Sequence, residues 1–399
     1  MPIYLDTSHT ARTNARTGIQ TVVRGLVAAL SSQNHEVVPL RWSFRKRCLT
    51  LLKPQWQENL QHSVAVDTWL PWKSLLHPPS WPAWTASGGL SYRTPIHRHP
   101  VHAKQLQGSW CVLPELMEGQ HVRAVADYAR SRGLRVAAIF HDAIAWLKPD
   151  MVRHWSREQH QDYMKALTHL DAIIAVSHES ARHFHEIAAE LQWSHPPVRV
   201  CTLPAQVVGQ ERARSEAKSS SEPLRLLCVS TLEPRKNHAR LLNAFGQARG
   251  RCSQKLELHL VGAAYDGAPE IAHTMRKLVA ENDGLFWHPR ASASELHQFY
   301  RDCDFTIFGS WIEGFGMPVM ESLWFAKPCL CADRGVMAEN AAGGGCLTVD
   351  MQNTGAIADG ILGLCDPAFR QELGKQAAER ELKTWSQYGA EIWQQLREI

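Results

Sequence analysis

The sequence predicts an α/β protein made of two doubly wound, Rossmann-like domains that face a central cleft. Three observations indicate this class. Short apolar runs alternate with segments of helical periodicity, which is the pattern of parallel sheets with helical crossovers. The alternation stops at a polar, serine-rich stretch and then starts again. The length of 399 residues is sufficient for two domains that each bury a core.

Three apolar runs in the first half are predicted to be strands. They are Ile3-Tyr4-Leu5, residues 135–140 and residues 172–176. A helix is expected after the first run, because apolar positions recur with helical period from Val22 to Leu30. Ser177 directly follows the third run and is a favourable residue to cap the next helix.

The second half repeats the alternation after the polar stretch at residues 209–223, which is predicted to be a linker. The domains on either side are predicted to span residues 1–208 and 224–380. The predicted strands are residues 224–229, 256–261, 285–287 and 305–308, and the predicted helices are residues 239–245, 271–280, 295–300 and 367–399.

The most informative segment begins and ends with glutamate, and it joins the strand at 305–308 to a helix. It reads Glu313-Gly314-Phe315-Gly316-Met317-Pro318-Val319-Met320-Glu321. Pro318 suits a first helical turn, and the two glycines let the backbone approach a ligand. The segment is therefore expected to place main-chain amides and a helix N-terminus against an anion.

Side chains and amides of this segment are assigned as follows. The amides that would face the anion belong to Phe315, Gly316, Met317 and Val319. Glu313 and Glu321 would accept hydrogen bonds from sugar hydroxyls on either side of it. The alternative is that Glu313 is a solvated loop residue and Glu321 a favourable acid near a helix start.

Two adjacent cations, Arg235 and Lys236, lie between the strand at 224–229 and the helix that follows it. Cations at a helix N-terminus oppose the helix dipole, so they are a poor choice for stability alone. A bound diphosphate would reverse that cost, and arginine would hold it through two parallel hydrogen bonds. The alternative is a solvated basic turn.

Composition excludes several classes of protein. The chain holds 43 basic and 39 acidic residues, a surplus too small to indicate nucleic-acid binding. Its ten cysteines show no paired spacing, which favours a reducing compartment. Neither a leader peptide nor an apolar run of membrane-spanning length is found, so a cytoplasmic location is expected.

Several ordered motifs together resemble the retaining glycosyltransferases of family four, of the group-one type with the GT-B fold. They are Glu233-Pro234-Arg235-Lys236-Asn237, Leu241 to Phe245, Leu258 to Gly262, and the segment from Glu313 to Glu321. The resemblance is strong from Leu224 to Asp350, and the chain is similar to bacterial mannosyltransferases of O-antigen and other polysaccharide synthesis. In the first half it is limited to Thr17-Gly18-Ile19-Gln20 and Phe140-His141-Asp142.

The resemblance implies a role for each matched residue in binding a nucleoside-diphosphate sugar. Arg235 and Lys236 would hold the diphosphate and stabilise it as it leaves. Glu313 and the amides of Phe315, Gly316 and Met317 would hold the transferred sugar, and Glu321 would accept from the ribose. Gly18 would approach the phosphates from the first domain, and His141 would lie near the sugar on the acceptor side.

The resemblance also implies how the reaction proceeds. The donor's own phosphate oxygen would deprotonate the acceptor, so no protein base, metal or other cofactor is required. The last helix, residues 381–399, would cross back onto the first domain. Many members carry Gly-Arg where this chain has Ser230-Thr231, which leaves two options for Arg235: it replaces that arginine, or it points elsewhere. Lys236 is the firmer assignment, and His141 has a purely structural role as its alternative.

The 21 histidines raise the question of a metal site. His178 and His183 flank a segment that resembles a zinc-protease helix, but one residue too many separates them for a shared helical face. His183 and His185 are two positions apart, so their side chains would also point to different faces of a helix. Solvated surface histidines are the better explanation, and no metal site is predicted.

The region from Arg41 to Trp110 combines tryptophans with cations. Basic residues cluster from Arg41 to Lys53, and seven of the fifteen tryptophans lie in the region: Trp42, Trp56, Trp69, Trp72, Trp81, Trp84 and Trp110. Core packing beneath long loops is the ordinary explanation of the tryptophans. As a hypothesis, the region forms the acceptor side and contacts the inner leaflet of the membrane peripherally.

The preferred function is a retaining hexosyltransferase. It would move a mannose-like hexose, with GDP-mannose as the first candidate donor, to a saccharide or lipid-linked saccharide in cell-surface polysaccharide synthesis. Two alternatives remain: a non-catalytic GT-B protein that binds a sugar or a partner, and a nucleotide-sugar epimerase. The presence of Glu313, Glu321 and Lys236 together favours the enzyme.

Overall fold

The structure is a computed structural model that describes residues 2–13, 17–61, 94–99, 102, 104–152, 155–214, 223–264 and 269–399. The chain forms two compact units. One contains Met1–Pro204 and Lys383–Ile399, and the other contains Ala205–Leu382. Each unit is built on its own sheet with helical crossovers, so the predicted α/β class is confirmed.

The first unit contains a seven-stranded sheet of order β3-β2-β1-β4-β5-β6-β7. Neighbouring strands are parallel except β2 and β3, which form an antiparallel hairpin at the sheet edge. The central strands are buried and apolar on both faces, as expected of a parallel sheet covered by helices. The strands are β1 (Ile3–Asp6), β2 (Val37–Ser43), β3 (Cys48–Leu51), β4 (Trp110–Leu113), β5 (Arg135–Phe140), β6 (Ala172–Ala175) and β7 (Val198–Val200).

Helices connect and cover these strands. The hydroxyl of Ser177 accepts a hydrogen bond from the Ser180 amide at 3.0 Å, so the predicted cap is confirmed. The α-helices of this unit are Gly18–Ser32, Pro54–Gln61, Gly119–Arg130, Ile144–Leu147, Arg157–Leu167, His178–Glu190 and Trp385–Glu398, and short 3-10 helices are Thr10–Arg12, Ile96–Arg98 and Pro149–Met151.

The second unit contains a six-stranded, fully parallel sheet of order β10-β9-β8-β11-β12-β13. Its strands are β8 (Leu224–Val229), β9 (Leu256–Val261), β10 (Leu285–His288), β11 (Phe305–Ile307), β12 (Cys329–Ala332) and β13 (Cys346–Val349). Its helices are His238–Arg251, Pro269–Glu281, Ala293–Asp302, Met317–Trp324, Gly335–Ala341, Thr354–Cys365 and Pro367–Glu379, with a 3-10 helix at Pro234–Lys236.

The end of the chain forms two helices, so the single helix predicted for residues 367–399 is wrong in its extent. The first ends at Glu379, and Thr384 caps the second through reciprocal hydrogen bonds with Gln387. The second helix, Trp385–Glu398, packs against Gly18–Ser32 of the first unit. The contact is so close that a Cβ atom at Gly25 would lie 2.4 Å from the Trp385 ring.

The described part of the predicted linker is bonded to the second unit. The Ala213 amide donates to the Trp324 carbonyl oxygen at 3.1 Å, and the Trp324 indole donates to the Gln210 carbonyl oxygen at 3.2 Å. The Arg212 guanidinium donates to the Ala377 carbonyl oxygen at 2.8 Å. Residues 209–214 therefore lie fixed on the second unit, and residues 215–222 fall outside the described ranges.

Candidate functional site

The second sheet brings two distant loops together at its centre. The loop after β8 contains Arg235 and Lys236, and the loop after β11 contains Glu313. Strands β8 and β11 are neighbours, while their crossovers run to β9 on one side and to β12 on the other. The carboxyl ends of two such strands form the crevice in which doubly wound sheets bind ligands.

Glu313 accepts from both cations in this crevice. The Lys236 ammonium lies 2.5 Å from Glu313 Oε1, and Arg235 Nη1 lies 2.7 Å from Glu313 Oε2. The Ser310 hydroxyl donates to Glu313 Oε1 at 2.5 Å. Arg235 also pairs through Nε with Glu233 at 3.0 Å. The cations that oppose the helix dipole are thus partly neutralised within the chain, which the sequence did not indicate.

Burial makes this cluster electrostatically strong. The side chains of Lys236 and Glu313 are each 10% exposed. Burial alone would raise the pKa of Glu313, but the charges of Arg235 and Lys236 outweigh it and lower the pKa to about 2. Burial lowers the pKa of Lys236, and the Glu313 carboxylate opposes that shift. Glu313 is therefore ionised at neutral pH, and it favours the charged form of the lysine.

The backbone around Lys236 is held in place by Asn237. This residue has a φ of +63°, a left-handed conformation that asparagine tolerates, and it reverses the chain between the 3-10 turn and the next helix. Its side-chain amide donates to the Met351 carbonyl oxygen at 2.7 Å. Asn237 is thus a supporting residue that was not predicted. Its position directly after two cations and before a helix was the available signal.

The start of the helix Met317–Trp324 has the geometry expected of an anion site. Gly316 caps it with a φ of +82°, and Pro318 lies in the first turn. The Val319 amide already donates to the Gly316 carbonyl oxygen at 3.0 Å, so its predicted role in anion binding is wrong. Among the described residues, no acceptor is recorded for the amides of Phe315, Gly316 and Met317.

Glu321 lies further along the same helix and has a separate partner. The Tyr300 hydroxyl donates to Glu321 Oε2 at 2.7 Å, and the Tyr300 ring stacks on Phe325. Burial raises the pKa of Glu321, and the hydrogen bond from Tyr300 opposes this shift. One carboxylate oxygen is therefore oriented by Tyr300, a residue that the sequence did not identify.

Two predicted site residues, Gly18 and His141, belong to the first unit. Gly18 is the exposed first residue of its helix, where its amide has no helical acceptor. His141 follows β5 and is buried, and its Nε2 donates to the Pro114 carbonyl oxygen at 2.8 Å. Burial lowers the pKa of His141, which favours the neutral ring. Their predicted roles toward the donor remain predictions.

The first sheet has a similar crevice between β1 and β4, and it contains a buried acid that was not predicted. Glu115 follows β4 and accepts from the amides of His9 at 2.9 Å and Thr10 at 2.5 Å, both in the loop after β1. Burial, together with the nearby carboxylate of Asp6, raises the pKa of Glu115 to about 7. Asp6 in turn contacts His121 at 3.1 Å.

We expect Glu115 to make stability fall as pH rises from about 4.5 to about 7. The carboxyl holds its proton to a higher pH in the folded state than in the unfolded state. The stabilisation that this tighter proton binding gives the folded state is lost as pH rises through 7. The full effect is roughly 3 kcal/mol. Glu115→Gln cannot ionise, so its loss of stability relative to the wild type should shrink as pH rises. Urea unfolding from about pH 5 to about pH 8 measures this. A difference in stability between Glu115→Gln and the wild type that does not change with pH, as expected for the exposed Glu190→Gln control, would contradict this prediction.

The histidines in and beside the segment that resembles a zinc-protease helix differ in exposure. His178 and His185 are exposed, as predicted. The prediction is wrong for His183, whose side chain is only 12% exposed and lies 3.2 Å from Glu179. Across the described residues, no group of three or more metal-ligating side chains is found.

Three of the seven tryptophans between Arg41 and Trp110 are described. Trp42 and Trp110 are buried in the core of the first unit, as the ordinary explanation requires. Trp56 is half-buried beneath three cations. Trp69, Trp72, Trp81 and Trp84 lie outside the described ranges. In the part of the chain that the structure describes, none of the helices has the length and apolarity to cross a membrane.

Residues 209–380 match the family of glycosyl transferases group 1. The serotype-specific mannosyltransferase WbdA of Escherichia coli is 26% identical over 228 residues, which cover 54% of this chain and 28% of the relative. The trehalose synthase of Rubrobacter xylanophilus is 29% identical over 160 residues, or 39% of this chain and 38% of the relative. The matched region is thus well under half the length of these curated relatives.

Solved structures resemble the whole chain. The sucrose-phosphate synthase from Thermosynechococcus elongatus has a TM-score of 0.68 at 17% identity, with 100% of this chain and 98% of the other covered. Anabaena HepE, solved in complex with UDP and glucose, has a TM-score of 0.65 at 16% identity, with both chains covered fully. The predicted GT-B fold is confirmed by these similarities.

Proposed function

We propose that this protein is a retaining hexosyltransferase that uses a nucleoside-diphosphate sugar, since residues 209–380 match the family of glycosyl transferases group 1. One observation carries the proposal: Lys236, Arg235 and Glu313 meet at the central crevice of the second sheet. They lie on the two loops that the strand order brings together. The loop with Glu313 leads into the helix Met317–Trp324, and within the described residues the amides of Phe315, Gly316 and Met317 have no hydrogen-bond acceptor. Two cations and a helix N-terminus are the groups that a diphosphate requires.

Each residue then has a role that follows from its surroundings. Lys236 and Arg235 bind the diphosphate and stabilise the negative charge that develops on it as the sugar leaves. Glu313 holds both cations in place and accepts from hydroxyls of the transferred sugar. The amides of Phe315, Gly316 and Met317 contact the same region of the donor. The donor phosphate removes the acceptor proton, and this route requires no protein base and no metal.

The proposed donor is GDP-mannose, and the proposed acceptor is a saccharide, free or lipid-linked, in the synthesis of a cell-surface polysaccharide such as an O-antigen. Similarity to a mannosyltransferase supports the mannose assignment. The UDP and glucose bound to HepE make UDP-glucose the first competing donor.

The proposal is tested by measuring release of nucleoside diphosphate from GDP-mannose, UDP-glucose and related donors. Turnover with one donor, retention of the anomeric configuration in the product and loss of turnover in Lys236→Met are expected. A donor that binds but releases no diphosphate with any acceptor supplied would instead support the non-catalytic alternative. Conversion of the free donor to its epimer would support the epimerase.

We expect Glu321→Ala to weaken donor use through its contact with the ribose. A hydrogen bond to a charged group contributes about 1.5–3 kcal/mol, so kcat/KM for the donor should fall by about 10- to 100-fold, mainly through KM. Tyr300→Phe removes only the hydroxyl that orients Glu321 and should have a smaller effect in the same direction. Steady-state kinetics at varied donor concentration measure both, and unchanged kinetics in Glu321→Ala would refute the ribose assignment.

A further inference from the structure

The β2–β3 hairpin of the first unit ends in a basic turn that begins with a phenylalanine. The turn is Phe44-Arg45-Lys46-Arg47, and all four residues are exposed. Phe44 is 59% exposed, the highest value for a large apolar side chain in the described ranges. Arg47 has a φ of +47°, a left-handed conformation that favours glycine or asparagine. Phe44 makes one ring contact, edge-on to His121 at 5.1 Å between ring centroids, and most of its side chain remains exposed.

Basic residues cluster in and around this turn. From Val37 to Gln57 the sequence contains five basic residues and no acidic residue. The rest of the chain contains 38 basic and 39 acidic residues, so it is close to neutral. The hairpin and the start of the helix Pro54–Gln61 therefore carry five positive charges, three of them on the consecutive residues Arg45, Lys46 and Arg47. Like charges this close repel each other, and a bound anionic surface would remove that cost.

A second aromatic residue, on the helix that follows the hairpin, is surrounded by cations. Trp56 lies on the helix that follows β3, the edge strand of the sheet. The charged groups of Arg12, Arg41 and Lys53 lie 5.2, 5.1 and 5.0 Å from the centre of its ring. Such cation–π contacts keep positive charge beside an aromatic side chain at the protein surface.

We propose that this edge binds an anionic lipid surface. The docking edge consists of the turn from Phe44 to Arg47 together with Arg41, Lys53 and Trp56. Basic side chains would pair with lipid phosphates while Phe44 enters the interfacial region between headgroups and acyl chains. An exposed aromatic ring at the tip of a turn, flanked by three cations, favours lipid over a dissolved polyanion, because only lipid offers an apolar layer beneath its charges.

The docking edge and the proposed donor site share no residue. All of its residues lie in the first unit, while Lys236 and Glu313 lie in the second. Variants of the docking edge should therefore lose lipid binding and keep turnover of a water-soluble acceptor. Failure of one proposal thus leaves the other testable.

The experiment is sedimentation of the full chain with vesicles of phosphatidylglycerol and phosphatidylethanolamine, and with vesicles of phosphatidylcholine alone. We expect binding to the anionic vesicles at about 0.1 M salt and much weaker binding at about 1 M, where the Debye length falls from about 10 to about 3 Å. Phe44→Ser should lower the partition coefficient about tenfold. The triple variant Arg45→Glu, Lys46→Glu, Arg47→Glu should lower it by about 100-fold or more, since each cation near the surface contributes about fivefold.

Matched controls come from exposed residues of the second unit. Phe369→Ser changes a phenylalanine that is 39% exposed, and the triple variant Arg249→Glu, Arg251→Glu, Lys255→Glu changes the net charge by the same amount. Both should bind vesicles like the wild type. The proposal is overturned if the wild type does not bind anionic vesicles or if the control triple loses as much binding as the hairpin triple. It is also overturned if Phe44→Ser binds normally while an oligonucleotide displaces the protein. Unchanged melting temperatures show that the variants are folded.

Discussion

Replacing Lys236 with methionine should lower kcat by about 100- to 1,000-fold, because it removes the buried charge that we propose stabilises the diphosphate as it leaves. Methionine keeps most of the side-chain volume, and Arg235 remains 2.7 Å from Glu313, so the carboxylate keeps a cationic partner. The variant should therefore fold with a melting temperature near that of the wild type. Steady-state release of nucleoside diphosphate measures the effect on kcat.

The matched control for this prediction is Arg251→Met. Arg251 pairs with Asp359 at 2.7 Å, but both side chains are more than half exposed, and exposed pairs contribute little to stability. This variant should keep activity within about twofold of the wild type. A folded Lys236→Met protein that turns over at the wild-type rate would remove the lysine from the proposed mechanism.

Glu313→Gln should reduce stability more than Lys236→Met does, and it should also reduce activity strongly. The carboxylate is the shared anion of Arg235 and Lys236, and its loss leaves two cations side by side in a largely buried crevice. Breaking a buried ion pair by removing one partner costs about 3–5 kcal/mol. Activity should fall by about 1,000-fold, because the sugar loses an acceptor and the cations lose their fixed geometry.

The pH dependence of Glu313→Gln provides a second readout. Burial already lowers the pKa of Lys236, and removal of the opposing carboxylate should lower it further. A lysine whose pKa is lower in the folded state than in the unfolded state destabilises the protein at low pH. This destabilisation decreases as pH rises toward the pKa of the lysine in the unfolded state. The deficit of the variant should therefore shrink in alkaline solution. Urea unfolding at several pH values measures this deficit.

The double variant Lys236→Met, Glu313→Gln separates stability from catalysis. Removing the lysine together with the carboxylate eliminates the unpaired buried cation, so we expect much of the lost stability to return. Activity should stay as low as in either single variant, because no group replaces the lost charges. Recovery of activity along with stability would show that both residues act only by supporting the fold.

Much of the second unit could be predicted because its sequence signals are local. Strands β8 and β9 are apolar runs bounded by polar turns, and their predicted bounds coincide with those observed. Lys236 and Glu313 could be singled out as site residues because each follows a strand in a doubly wound pattern. Their direct contact could not be predicted, since it depends on β8 and β11 being neighbours, and strand order is a property of the whole sheet.

Other features depend on long-range packing and left no clear local signal. Strand β2 was missed because it carries Pro39 and Arg41 within its apolar run, and its pairing with β1 and β3 overrides those unfavourable residues. Glu115 follows a proline and resembles a loop acid, and only the fold shows that its carboxylate binds the loop after β1. Tyr300 reads as an apolar helix position, although its hydroxyl orients Glu321.

The most direct test of the proposed donor site is a crystal structure of the chain with GDP or UDP bound. The proposed site predicts a diphosphate within hydrogen-bond distance of the Lys236 ammonium, the Arg235 guanidinium and the amides of Phe315 to Met317, with the ribose against Glu321. A nucleotide that binds elsewhere and leaves the Lys236 ammonium and the amides of Phe315 to Met317 without a phosphate partner would contradict it.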